Sequence, residues 1–91
     1  MEVKLHIPDD VAQRLTAAGG DVSRRALEAL ALEGYRERAL TLYQVSEMLG
    51  FSRVEAEDFL GLHQVPLAEM GEADLDREAA LFEASARRRP R

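Results

Sequence analysis

Residues 42–61, LYQVSEMLGFSRVEAEDFLG, constrain the fold of this chain more than any other stretch, because small and apolar residues fall where two helices must cross around a sharp turn. Gly50 stands where such a turn needs a left-handed residue, and Ser46 is small enough to let the second helix approach. Val45, Leu49, Phe51 and Phe59 supply a shared core. Thr41 is placed to cap the first helix, and Ser52 to cap the second with Glu55 three residues on, the pattern of a capping box. Residues 41–65 therefore read as a helix-turn-helix-like segment. Its second helix carries Glu55, Glu57 and Asp58 against a single Arg53, an acidic surface to offer to phosphate. If this segment contacts DNA, Ser52 and Arg53 at the helix N-terminus lead.

Upstream, residues 2–7 alternate strictly, with Val3, Leu5 and Ile7 on one face and Glu2, Lys4 and His6 on the other. That period of two predicts a half-buried strand closed by Pro8. No second strand is visible, so its cheapest partner is its own copy in a symmetric antiparallel pair, with Val3, Leu5 and Ile7 as the dimerisation residues. Two copies of Lys4 and His6 would then lie side by side, as a solvated edge or as a contact to bases and phosphates. A short helix follows from Pro8, with Asp9 and Asp10 in its first turn and Val11 and Leu15 on one face, and Gly19-Gly20 ends it. Asp21 or Ser23 caps the next helix, whose apolar positions Val22, Ala26, Leu27, Leu30 and Ala31 recur at helical spacing through about Arg38. Arg24 and Arg25 open it. There the dipole favours an anion, so they suit a phosphate clamp or surface pairs with Asp21 or Glu28. Within that helix Gly34 suggests a close approach.

Composition narrows the function classes. Ninety-one residues bury a limited core, which makes a homodimer the default. There is no cysteine, and His6 and His63 form no pairing motif, so we expect no metal and no disulfide. Charge breaks every apolar stretch, and no basic segment precedes an apolar core at the N-terminus; the expectation is a soluble, cytoplasmic protein with no membrane contact. A net charge of −5 disfavours non-specific nucleic-acid binding by the whole molecule while leaving a local basic patch open. Catalysis has little to stand on: Ser23, Ser46 and Ser85 lack a histidine at nucleophile spacing, and the carboxylates of the second helix sit on a solvated face. We expect no enzyme, no cofactor and no small-molecule substrate.

Beyond Pro66 and Gly71, which bracket an irregular linker, a helical run from about Asp74 to Ala86 places Leu75, Ala79 and Phe82 along one side. Arg87, Arg88, Arg89 and Arg91 follow. An amphipathic helix with one narrow stripe and then an arginine cluster is either a frayed, solvated end or a segment that docks on a partner.

The layout of VKLHIPDDVAQRL and VSRRALEALALEGY resembles the ribbon-helix-helix fold, in which two chains pair strands and the ribbon enters the DNA major groove. Together with TLYQVSEMLGFSRVEAEDFL and QVPL, the chain resembles a small prokaryotic antitoxin-like family of uncharacterised proteins, over roughly residues 2–70 and most distinctively over residues 34–66. The resemblance implies a mainly α fold with one N-terminal strand pairing between chains, then a helix-turn-helix-like pair and a C-terminal helix. Residues 1–40 would be a ribbon-helix-helix-like dimerisation module, 41–65 the helix-turn-helix-like segment, and 66–91 a linker and partner-binding tail. It further implies an antitoxin that binds and neutralises a PIN-like ribonuclease toxin encoded next to it, and that autorepresses its operon by binding operator DNA. Leu75 and Phe82 would lie across the toxin, while Arg87, Arg88 and Arg89 enter its acidic site, a task suited to a planar, permanently charged fork. DNA contact would fall to Lys4, His6, Arg24, Arg25, Ser52 and Arg53. The competing readings are a protein–protein adaptor that never touches nucleic acid and a plain transcriptional regulator.

Overall fold

Three helix starts are fixed by the side chains legible as caps. Asp21 Oδ1 accepts the Ser23 backbone N–H at 3.1 Å. The Thr41 hydroxyl accepts from the Gln44 N–H at 3.2 Å while Gln44 Oε1 accepts from the Thr41 N–H at 2.9 Å. Ser52 and Glu55 repeat that reciprocal pair at 3.2 and 2.9 Å. Each bond takes over a backbone donor that the first helical turn cannot pair internally. The computed structural model describes residues 1–88, and the helices they form are α1 (Asp9–Ala17), α2 (Val22–Arg36), α3 (Leu42–Leu49), α4 (Arg53–Leu62) and α5 (Glu72–Arg88). The protein is mainly α. Among the described residues no helix is long and apolar enough to cross a membrane.

The core gathers where α2, α3 and α4 meet: Ala31 and Tyr35 from α2, Val45 and Leu49 from α3, Phe59 and Leu60 from α4, and Val65 just beyond. Gly50 turns the chain between α3 and α4 at φ +70°, the left-handed geometry expected of it. Gly34 has a different task. A Cβ there would stand 2.5 Å from Leu40 Cδ1, so its absence lets the chain after α2 fold back tightly. The N–H groups of Ala39 and Leu40 both reach the Gly34 carbonyl, at 2.8 and 3.0 Å, and close the helix end. The Tyr35 hydroxyl accepts the Ala68 N–H at 2.7 Å, which ties the linker after α4 to the end of α2.

The C-terminal helix is longer than expected and packs on α3. Its inward side is Glu78, Phe82 and Ser85, whereas Leu75 and Ala79 of the expected stripe are exposed. Glu78 is 8% exposed, and its Oε1 accepts the Tyr43 N–H at 2.8 Å in the first turn of α3. The carboxylate thereby satisfies one of the unpaired donors and meets the positive end of the α3 dipole. Phe82 sets its ring edge-on to Tyr43, with centroids 5.3 Å apart.

One expectation requires correction. Residues 2–7 form no strand, and no strand occurs among the described residues. The physical reason is the missing ladder: a single extended segment has no neighbour to take its backbone N–H and C=O groups. The alternation nevertheless survives in space, because Val3, Leu5 and Ile7 line a recess with Val22, Ala26 and Leu30 of α2.

Candidate functional site

The N-terminal segment offers two contrasting faces. Its odd-numbered residues border a recess of about 440 Å3, whose walls include Leu27 as well as Leu30, and Val3 and Leu5 remain 68% and 67% exposed. Lys4 and His6 occupy the alternate positions, both exposed and with no side-chain hydrogen bond or ion pair among the described residues. They are the expected DNA-contacting residues that the fold leaves unengaged.

Arg24 and Arg25 are differently placed. Arg24 donates from Nη2 to the Leu49 carbonyl at 2.8 Å, lies with Nε 3.4 Å from Glu28, and stacks its guanidinium 5.3 Å above the Phe51 ring. A cation is thus fixed at the C-terminus of α3, where the dipole is negative. Arg25 does the same for α1, donating from Nη1 to the Leu15 carbonyl at 2.9 Å. Of the two readings held open for this pair, the Arg24–Glu28 ion pair is present. A phosphate at the start of α2 would have to displace these bonds.

At the start of α4 the Ser52 hydroxyl is taken by its capping box. Arg53 lies 3.7 Å from Glu57 and places its guanidinium 5.7 Å over Phe82. Arg53, Phe82 and Tyr43 therefore form one stack that joins α4, α5 and α3, and the expected DNA residue touches the expected partner-binding residue. Farther along α5, Leu75 stays 46% exposed, Arg87 pairs with Glu83 at 2.6 Å, and Arg88 is exposed. Arg89 lies outside the described residues.

Between α3, α5 and the linker opens a cleft of about 550 Å3 whose walls include Tyr35, Arg38, Glu47, Glu69 and Arg77. Its rim mixes both signs of charge. Among the described residues no three histidine, aspartate or glutamate side chains converge as metal ligands. Sequence reasoning missed Glu78 as the residue that fastens α5, since nothing local distinguishes it from the solvated acids around it. The exposed aliphatics Val54 and Leu62, at 65% and 83%, also escaped it, and Leu30, read with the apolar positions of α2, is 63% exposed. For Val54 and Leu62 the signal was available as helical positions opposite the core residues of α4.

Comparison with curated proteins and with solved structures gives no match. A family model does match, over residues 1–84. This chain belongs to UPF0175, an uncharacterised protein family.

Proposed function

We propose that this protein works by binding, as an antitoxin-like homodimer that holds and neutralises a PIN-like ribonuclease and contacts operator DNA through its paired N-terminal segments. The observation that carries the reading is the open apolar recess between residues 1–7 and α2. A chain this small leaves Val3, Leu5 and Leu30 more than half exposed, although its own core lies beside them. A second copy laid antiparallel along residues 2–7 would supply the missing ladder and cover these aliphatic side chains. That pairing brings two copies of Glu2, Lys4 and His6 together on the outer face, where the Lys4 ammonium and the His6 ring are the groups that can reach phosphates and base edges. Arg87 and Arg88, in the exposed last turn of α5, and Arg89, outside the described residues, are the groups suited to an acidic nuclease site.

A second reading, a protein–protein adaptor without nucleic acid, draws support from the placement of the other cations. Arg24, Arg25 and Arg53 are each engaged by other residues of the chain. The two readings separate in one set of measurements. Sedimentation velocity should give a dimer. Gel mobility with the gene's own upstream DNA should show a complex that Lys4→Ala weakens, and co-expression with the neighbouring reading frame should yield a complex with suppressed nuclease activity. A dimer that binds and inhibits that product yet never shifts the DNA leaves the adaptor; a monomer removes the N-terminal pairing altogether.

A further inference from the structure

The outward face of α4 is unlike the rest of the helix-turn-helix-like segment. Ala56, Phe59 and Leu60 point into the core and are at most 7% exposed. At 100° per residue the opposite side of the helix carries Val54, Asp58, Gly61 and Leu62, with Glu55 at one edge and Glu57, paired with Arg53, at the other. In a DNA-reading segment this is the side that would enter the groove. Here it bears no cation. Two of its residues are aliphatic side chains left 65% and 83% in solvent, set among carboxylates.

Gly61 adds an independent mark. Gly34 and Gly50 are required by the chain itself, one by the approach of Leu40 and the other by a left-handed φ. Gly61 has neither reason: it is the penultimate residue of α4, its φ is not left-handed, and a Cβ built on it meets nothing within 4 Å. A glycine in a helical turn costs the helix some stability, and no close contact within this chain calls for one here. What it does provide is an outer surface low enough for another backbone to come close, flanked by Val54 and Leu62 as apolar contacts.

We propose that this face is a docking surface for a helix of another protein, one with an aliphatic stripe bordered by lysine or arginine. The occupant follows from complementarity. The exposed aliphatics call for an apolar stripe, the glycine for a closely approaching helix, and the Asp58 carboxylate between them for a flanking cation, while phosphate is repelled. The surface is separate from the N-terminal recess and from the Arg53–Phe82–Tyr43 stack, so the proposal does not rest on the antitoxin reading.

The test uses the full chain and a fluorescein-labelled helical peptide of about 18 residues, leucine along one stripe and lysine elsewhere, with a leucine–glutamate peptide and a DNA duplex as comparators. Fluorescence anisotropy should show saturable binding of the lysine peptide only. Gly61→Leu should weaken it by about tenfold or more while leaving the melting temperature unchanged or raised, and Leu62→Asp should do likewise. Asp58→Lys should weaken it and flatten its salt dependence. The neutral Gly61→Leu substitution separates docking on this face from general attraction of a cationic peptide to an acidic protein. Undiminished binding by Gly61→Leu, equal binding of the glutamate peptide, or a duplex whose binding Gly61→Leu abolishes would each overturn the proposal. The last would assign the face to nucleic acid.

Discussion

The two ends of α2 lie in opposite surroundings. Toward its C-terminus Ala31 and Tyr35 are 0% and 6% exposed, enclosed by α3, α4 and the linker. Toward its N-terminus Val22, Ala26 and Leu30 border a recess that the described residues leave open. Leu30 and Ala31 are neighbours in sequence, yet one is 63% exposed and the other fully buried. Leu27 touches both regions, packing on the core while lining the recess. The difference teaches that the chain encloses one core and leaves a second apolar surface open, which the proposed dimer would cover. Stability should reside in the first and association in the second.

The sharpest way to break this division is to make cavities in both halves. Leu60→Ala removes a side chain with no exposure, and the expected loss is about 2–5 kcal/mol in denaturant unfolding. The same truncation at Leu5, which is 67% exposed, should change the stability of a dilute monomer by less than about 0.5 kcal/mol. Comparable losses at both positions would mean that residues 1–7 belong to the one core after all.

Next in size is the effect on self-association. Leu5→Lys places a charge where the second copy would cover the recess, and the dimer should weaken by about a hundredfold in sedimentation equilibrium. Its helical circular dichroism should persist, since Leu5 is outside the cluster built by α2, α3 and α4. A dimer of unchanged affinity would remove residues 2–7 from the interface.

The same division marks what could be read from the residues in advance. Gly50, the two capping boxes and the core positions Val45, Leu49 and Phe59 were legible because each is a local rule: a left-handed turn, a side chain three residues from its donor, a helical period. The pattern of residues 2–7 was legible too, but its conformation was not, because a strand is a relation between segments and no other described segment pairs with this one. Arg24 and Glu78 escaped for a related reason. Their partners Leu49 and Tyr43 lie 25 and 35 positions away, and no periodicity encodes such pairs. Of the candidate site, Lys4 and His6 lie on the side of the segment away from the recess, whereas Arg24 and Arg53 are drawn to Leu49 and Phe82, distant in sequence.

The third prediction sharpens the status of α5. Glu78→Ala leaves the Tyr43 N–H without its acceptor in a buried helix start, and the expected loss is about 1–3 kcal/mol. Hydrogen exchange should speed at the first turn of α3 and across α5 together, and Phe82→Ala should act in the same direction through its contacts with Tyr43 and Arg53. If exchange rises in α5 alone, the helix is a tail that rests on the domain without supporting it.

The smallest expected effect settles which cations serve the fold and which remain for a ligand. Arg24→Ala removes a guanidinium from the Leu49 carbonyl and from the Phe51 ring, so thermal unfolding should show a loss of about 1 kcal/mol. The site is half-exposed, and water can replace part of the missing bond, which keeps the effect below that of Glu78. Its influence on DNA should be slight: the slope of log affinity against log salt should stay as in the unmodified protein. Lys4→Ala should behave in reverse. Lys4 forms no ion pair among the described residues, so stability should hold within about 0.5 kcal/mol, while each phosphate left without its lysine should lower the slope by about 0.9. Two copies in a dimer double that change. A slope that falls with Arg24→Ala and an unaltered melting curve would make Arg24 a phosphate ligand held in reserve by Leu49, and would move the DNA-facing surface from residues 2–7 to the start of α2.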